Sequence, residues 1–319
     1  FPSAPVLADI TVNDKPLPAV VQVSKQGFVY VLDRRTGAPV WPIEERPVPP
    51  STAPGERAAP TQPFPTRPPA FERQGFGESD IVDFTPELRA QALGFLKAFD
   101  LGPLFTPPSF KGTIQLPGDA GGANWGGAAL DPRTGMLYVP SITRPVVSQL
   151  VRQDAARGNI KYRGKVLRLP TLDGIPLHKP PYSRVTAYDL NSGAIAWQVP
   201  LGDGPRAHAL LKDLKPGRLG NGARGNPLVT ATLLFVSQAG GGTGGGDVLP
   251  VGSRPLSTLP PETPKLRAFD KATGELVWEQ ELPVGPAGTP MTYSYRNRQY
   301  VVVAVGGGLR SELVAYALP

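Results

Sequence analysis

Cysteine is absent from the 319 residues, which excludes disulfides, thiolate-bound zinc, iron–sulfur clusters and thiol nucleophiles, and leaves the redox compartment unreadable from this residue type. Histidine is nearly absent: His178 and His208 are the only two. They lie far apart, each in a Pro- or Gly-bounded loop, and the chain has no G-x-S-x-G elbow, so neither a Ser-His-Asp hydrolase nor a histidine metal site is supported. A surface or hydrogen-bonded structural role is expected for both. No apolar stretch approaches the roughly eighteen residues that a membrane-crossing helix requires. The opening "FPSAPVLADITV" has neither an initiator Met nor a basic-then-apolar signal, and reads as the middle of something longer. Like charges never run to five in a row, so the net +7, from 33 basic and 26 acidic residues, reads as a solvated surface and not as a nucleic-acid footprint. Attraction to an acidic partner or an anionic membrane is the weaker alternative.

What the chain has in abundance is proline and glycine, forty and thirty-seven, which argues for many turns and against extensive helix. An all-β fold is expected. Three segments repeat one spelling: "FVYVLDRRTGAPVW", "RVTAYDLNSGAIAW" and "KLRAFDKATGELVW". Each places Asp, Gly and Trp at the same offsets, as Asp33, Gly37 and Trp41, then Asp189, Gly193 and Trp197, then Asp270, Gly274 and Trp278. A fourth, "GAALDPRTGMLYV", keeps Asp131 and Gly135 but has Val139 in the tryptophan position. Each is a hairpin whose acid bonds nearby backbone N–H groups while Gly accepts positive φ. Around the best copy, "PLVT", "LLFVS", "LRAFD" and "LVWEQ" read as four successive antiparallel strands, followed by "GTPMTYSY", "QYVVVAVG" and "ELVAYAL", one strand short of a further unit. Irregularly spaced repeats of a few short strands point to a β-propeller whose blades carry insertions.

Three stretches interrupt the pattern. The first, about residues 46–118, opens with nine prolines in 46–74, an expected surface excursion. It continues into an amphipathic helix with Thr85 as N-cap, Pro86 first, and Leu88, Ala92, Leu96 and Phe99 on one face, expected to lie on the propeller. Loop insertions are expected at about 143–182 and 239–263. The glycine run in the latter lacks the Lys-Ser/Thr ending of a phosphate loop and reads as a linker.

Candidate chemistry lies in less repetitive strings. Lys25 sits in the tight link of "VVQVSKQGFVYVLD", where it either points to solvent or faces a central funnel and polarises a carbonyl or quinone oxygen. In "GGANWGGAALD", glycines let backbone approach closely beside the Asn124 amide and the Trp125 indole, which suit a ligand contact and a packed inter-blade tryptophan equally. Gly306 to Gly308 cluster at the end of a buried strand.

Seven strings, "SKQGFVYVLDRRTG", "PTQPF", "GPLFTPPSFKGTIQLPG", "NWGGAALDPRTGMLYVPS", "PLVTATLLFVS", "LRAFDKATGELVW" and "GTPMTYSYRNRQYVVVAVGGG", resemble in this order the C-terminal half of pyrroloquinoline-quinone (PQQ) dependent dehydrogenases of the glucose/quinate branch. The resemblance implies an eight-bladed β-propeller, about four blades of it in this chain, locked by tryptophan-docking motifs. Each Trp then wedges between blades against the turn of a neighbouring motif. It further implies PQQ and Ca²⁺ near the axis, with Lys25 against the quinone oxygens, Asn124 hydrogen-bonded to the cofactor and Trp125 beside it. Arg224 falls where relatives place a cofactor-facing tryptophan, a departure that leaves its role open, and Gly307 belongs to a final loop that approaches PQQ through backbone. The general-base Asp and the calcium ligands are expected upstream of Phe1, so no catalytic or metal residue is assigned within the chain.

The activity implied is oxidation of an alcohol or sugar hydroxyl. The Asp takes the hydroxyl proton, hydride passes to the C5 carbonyl of PQQ, and electrons leave to ubiquinone or a cytochrome. The same resemblance implies a periplasmic protein, inactive as this portion alone and completed by the N-terminal half of the propeller. The alternatives are a non-catalytic propeller scaffold and a sugar-binding module.

Overall fold

The computed structural model describes residues 1–154, 158–241, 247–248, 262–307 and 310–317. Four antiparallel sheets follow one another along the chain. The first orders Val6–Val12, Lys15–Val23 and Val29–Asp33, with a bridge from Leu32 to Pro39 in place of a fourth strand just before Trp41. The second orders Ala129–Asp131, Met136–Ile142, Ser183–Asp189 and Ala194–Pro200. The third is the four-stranded unit read from the sequence: Gly225–Val229, Leu233–Gln238, Lys265–Asp270 and Leu276–Glu281. Met291–Tyr295, Arg298–Gly307 and Arg310–Ala317 form the fourth. The first strand of the first sheet touches the first strand of the second, and that strand touches the first of the third, so the sheets stand side by side about their innermost strands.

The repeated acid and glycine do what their spacing predicts. Asp33, Asp131, Asp189 and Asp270 each accept at Oδ1 from the backbone N–H two residues on, at 2.8, 3.1, 2.9 and 2.9 Å. Four residues on, Gly37, Gly135, Gly193 and Gly274 sit at φ +76°, +74°, +69° and +77° and donate their N–H back to the aspartate carbonyl. The left-handed conformation favours glycine at all four positions. At two of them a tryptophan adds a second reason. A Cβ on Gly193 would lie 2.9 Å from the Trp41 ring, and one on Gly274 would lie 2.7 Å from the Trp197 ring. Each indole therefore rests on the bare turn of the next sheet.

Strands sandwiched between neighbours bury both faces, which is why they spell near-continuous apolar runs. Along Met136–Ile142, Leu137 and Val139 pack toward the first sheet while Tyr138 packs toward the third. Along Leu233–Gln238, Leu234 and Val236 face the second sheet and Phe235 the fourth.

The insertions differ from their sequence reading. The proline-rich excursion pairs Ile43–Pro47 with Thr61–Pro65, then turns inward so that Phe71 and Glu72 are buried. The helix Pro86–Leu96 forms as capped, with the Thr85 hydroxyl accepting from Leu88 N–H at 3.2 Å and Leu88, Ala92 and Leu96 buried. It packs into a separate core with Ile114, Val147, Leu172, Ile175 and Leu211, and not onto the four sheets above. Within 143–182, where loop was expected, Val146–Arg152 and Tyr162–Arg168 make a hairpin that also pairs with Thr113–Gln115. Its apolar partners arrive from distant chain segments, so no local pattern announces it. Most of the 239–263 stretch lies outside the described residues.

Candidate functional site

Lys25 occupies the turn between the second and third strands of the first sheet. Ser24 N–H donates to Phe28 O at 3.0 Å, Gly27 N–H returns to Ser24 O at 3.2 Å, and Gly27 takes φ +85°. The turn leaves Lys25 exposed, and its Nζ donates to Asp119 O at 3.0 Å. That oxygen belongs to the loop that carries the other candidate residues.

Gly121 explains how the loop comes so near. A Cβ there, at φ +73°, would lie 2.6 Å from the Lys25 Cβ and 2.7 Å from its Cα, so only glycine lets the two backbones press together. Gly122 N–H then donates to Lys25 O at 2.9 Å. Asn124 Nδ2 donates to Ala120 O at 2.8 Å, and its Oδ1 accepts from Trp125 N–H at 2.8 Å. Arg224, arriving from the third sheet, donates from Nη2 to the same Ala120 carbonyl at 2.8 Å. Three candidates from three parts of the chain therefore meet on two adjacent carbonyls. Trp125, 59% exposed, turns its ring to solvent beside them. Gly307 ends its strand on the fourth sheet, where a Cβ would meet open space, and no hydrogen bond among the described residues ties it to this loop.

The electrostatics favour an anionic, oxygen-rich ligand. Burial, with Arg144 nearby, pulls the Arg224 guanidinium below its ordinary pKa, and Asp119 only partly offsets this. The Arg224 Nε is buried without a hydrogen-bond partner among the described residues. A cavity of about 190 Å³ opens beside Lys25, walled by Gln26, Leu104, Phe105, Gln115 and Gly118. Phe105 holds φ +68°, an unusual conformation for a bulky residue. Among the described residues no group of three or more His, Cys, Asp or Glu is placed to hold a metal ion.

Both histidines are buried in hydrogen-bonded structural roles, as their loop settings suggested. His178 Nε2 meets Thr143 O at 3.1 Å. His208 Nε2 meets Asp173 O at 2.8 Å while Leu210 N–H donates to its Nδ1 at 3.1 Å, which puts the proton on Nε2.

Sequence reasoning missed a polar network below the Lys25 turn. The Glu72 side chain is 0% exposed, and its oxygens accept from Thr143 Oγ1 at 2.7 Å, Arg73 N–H at 2.8 Å and Arg184 Nη2 at 3.2 Å. Arg184 also bonds Thr143 Oγ1. Burial pushes the Glu72 carboxyl up in pKa, opposed by Arg184 and by the Thr143 hydroxyl. One acid after a proline run gives no periodic signal; its only mark is an apolar Phe71 beside it.

The family model described as the PQQ glucose/ethanol/alcohol dehydrogenase β-propeller domain matches residues 1–301. The chain is 32% identical to the glycerol dehydrogenase large subunit of Gluconobacter oxydans, over 99% of its own length and 45% of that protein's. It is likewise 32% identical to the quinoprotein glucose dehydrogenase of the same organism, over 100% of this chain and 41% of the relative. The chain thus spans less than half the length of these relatives. A solved quinohemoprotein alcohol dehydrogenase of Pseudomonas putida HK5 shares the fold at TM-score 0.52 and 19% identity, covering 96% of this chain and 34% of that one.

Proposed function

Because the chain belongs to the PQQ-dependent glucose/ethanol/alcohol dehydrogenase family, we propose that it is the C-terminal portion of a PQQ- and calcium-dependent enzyme that oxidises an alcohol or sugar hydroxyl. Its electrons pass to a quinone or cytochrome c. The observation that carries this reading is the meeting of Lys25, Asn124 and Arg224 on the Asp119 and Ala120 carbonyls. The Arg224 Nε, without a partner among the described residues, and the N–H groups that the exposed Lys25 ammonium keeps beyond the one given to Asp119 O fit a ligand rich in quinone and carboxylate oxygens. When bound, PQQ supplies the two-electron acceptor that no amino-acid side chain provides. Lys25 places positive charge and N–H donors where an oxygen gains charge. Asn124 fixes the loop through Ala120 and keeps one N–H to offer, and Trp125 supplies an apolar wall that limits water. The general-base Asp and the calcium ligands come from the remainder of an eight-bladed ring, which the exposed outer face of Met291–Tyr295 is free to meet. The setting is periplasmic, and the portion described here is inactive alone.

The test is reconstitution of the full-length protein with PQQ and Ca²⁺, followed by dye-linked oxidation of glycerol, glucose and quinate. Turnover of at least one is expected, and absence of both PQQ binding and oxidation overturns the reading. Lys25→Ala should lower turnover by about 10²-fold, the scale of losing one preorganised donor. Its unfolding free energy should stay within about 0.5 kcal/mol of wild type, as for an ordinary surface change.

A further inference from the structure

Glu72 lies between the two turns that carry Lys25 and Asn124. A Cβ on Gly27 would fall 2.9 Å from the Glu72 Cβ, and one on Gly122 would fall 3.2 Å from it. The segment around Glu72 holds the first turn at two points: the Phe71 backbone N–H donates to Gly27 O at 2.9 Å and the Gln74 side-chain Nε2 to Gln26 O at 2.7 Å. The carboxylate itself reaches the other way, to Arg184 and Thr143 on the second sheet. Segment 71–74 therefore bridges the first and second sheets directly beneath the candidate site.

Stability alone does not account for a charge at this place. Taking a carboxylate and a guanidinium out of water costs several kcal/mol, and an apolar pair of similar size is often at least as stable. What a fully bonded carboxylate supplies, and an apolar side chain does not, is a fixed direction, because its oxygens are held by donors on separate elements. We infer that Glu72, locked by Arg184 and Thr143, is a positioning residue that sets the height and orientation of the Lys25 turn against the 118–124 loop, and so tunes cofactor affinity. The inference rests on the proposed PQQ site. The Glu72 side chain is fully buried, so it acts through the turn above it and not by touching a ligand.

The experiment is calorimetric titration of the full-length protein with PQQ in the presence of Ca²⁺, alongside thermal melting. The double variant Glu72→Gln/Arg184→Met removes both charges together, so folding is expected to survive with a melting temperature within a few degrees of wild type. Its Kd for PQQ should nevertheless rise at least tenfold. In a Lys25→Ala background the same two changes should weaken PQQ less than threefold, because the turn no longer carries the ammonium it positions. An unchanged Kd in the folded double variant overturns the inference, as does an equal loss with and without Lys25. Should the double variant misfold, Gln74→Leu severs the side-chain strap to Gln26 O and Glu72 O and leaves the Glu72–Arg184 pair in place. A three- to tenfold weaker Kd is then expected, and an unchanged one overturns the inference. Wild-type protein that fails to bind PQQ refutes the functional reading itself, and is told apart from the other outcomes by that control.

Discussion

Between the second and third sheets the contact is made by Val185, Ala187, Leu234, Val236 and Phe269, with the Tyr138 and Trp197 rings lying 5.8 Å apart. The polar contacts across it include Tyr138 OH and Trp197 Nε1, both donating to Lys271 O at 3.1 Å, Lys271 Nζ bonded to Asp131, and the buried Gln238 Nε2, which donates to Ser183 Oγ at 3.2 Å and to Leu201 O at 3.3 Å. Between the first two sheets and the insertion the balance shifts to charged groups. Glu72, Arg73, Thr143, His178 and Arg184 meet in the interior, and Gln74 Oε1, Tyr182 OH and Arg184 Nε are buried without partners among the described residues. A repeated apolar seam lets successive sheets stack with little dependence on any one side chain. The polar seam around Glu72 lies beneath the candidate cofactor site, where position matters more than bulk.

Deleting one member of the ion pair should give the largest effect in this contrast. Arg184→Met takes the nearer guanidinium from the buried Glu72 carboxylate and leaves Arg73 at 3.8 Å as its remaining charged neighbour, an expected loss of about 3–5 kcal/mol. Urea unfolding of the full-length protein measures it, and a loss under 1 kcal/mol would erase the distinction between the two seams. Next comes Trp197→Ala, which removes a ring seated on Gly274 and should cost about 3 kcal/mol. Trp278 has the same spelling but is 40% exposed, with the Tyr316 ring edge-on at 5.8 Å. Trp278→Ala should therefore cost about half as much, in proportion to the smaller area it returns to water; equal losses would show that the motif acts without regard to burial.

The third prediction uses pH. Burial, with Arg73 and Arg184 close by, lowers the His178 pKa to about 3, against which its bond to Thr143 O works only weakly. The unfolded chain, titrating near 6.5, therefore binds more protons than the native state as pH falls. His178's contribution is complete above about pH 6.5 and is lost as pH drops through 3, with a slope of up to about 1.4 kcal/mol per unit. Glu72, raised above the ordinary carboxyl value, acts with the opposite sign just above 4.5, so the His178 share is the difference between wild type and His178→Gln across pH 4–6. Identical slopes would remove His178 from the polar seam's pH response. The smallest effect is local: Thr85→Ala takes away a helix cap and should cost about 1 kcal/mol in thermal unfolding, with no change in PQQ affinity.

How far the sequence could be read follows the same division. Asp33 and Gly37 and their copies were legible because a turn uses residues within five positions of each other, and its demands on backbone are local. The Thr85-capped helix was legible for the same reason, through Leu88, Ala92 and Leu96 at helical spacing. Its seat was not, since a pattern gives the apolar face and not the surface that covers it. Lys25 and Asn124 stood out through the strings around them, whereas their meeting on Asp119 and Ala120 joins positions about a hundred residues apart. Glu72 gave almost no signal, because a single buried acid becomes informative only once Arg184, 112 positions away, is beside it.

The sequence by itself determined the all-β class, the four Asp-x-x-x-Gly hairpins, the capped helix and, through its ordered strings, the dehydrogenase family. Tertiary structure decided which tryptophans are covered, that the insertion's helix packs into a separate core, and that Lys25, Asn124 and Arg224 share one loop above a buried ion pair. The physical reason is range. Turns, caps and strand alternation are set by backbone sterics and hydrogen bonds among near neighbours, whereas burial and charge pairing depend on which distant segments the fold brings within a few ångströms.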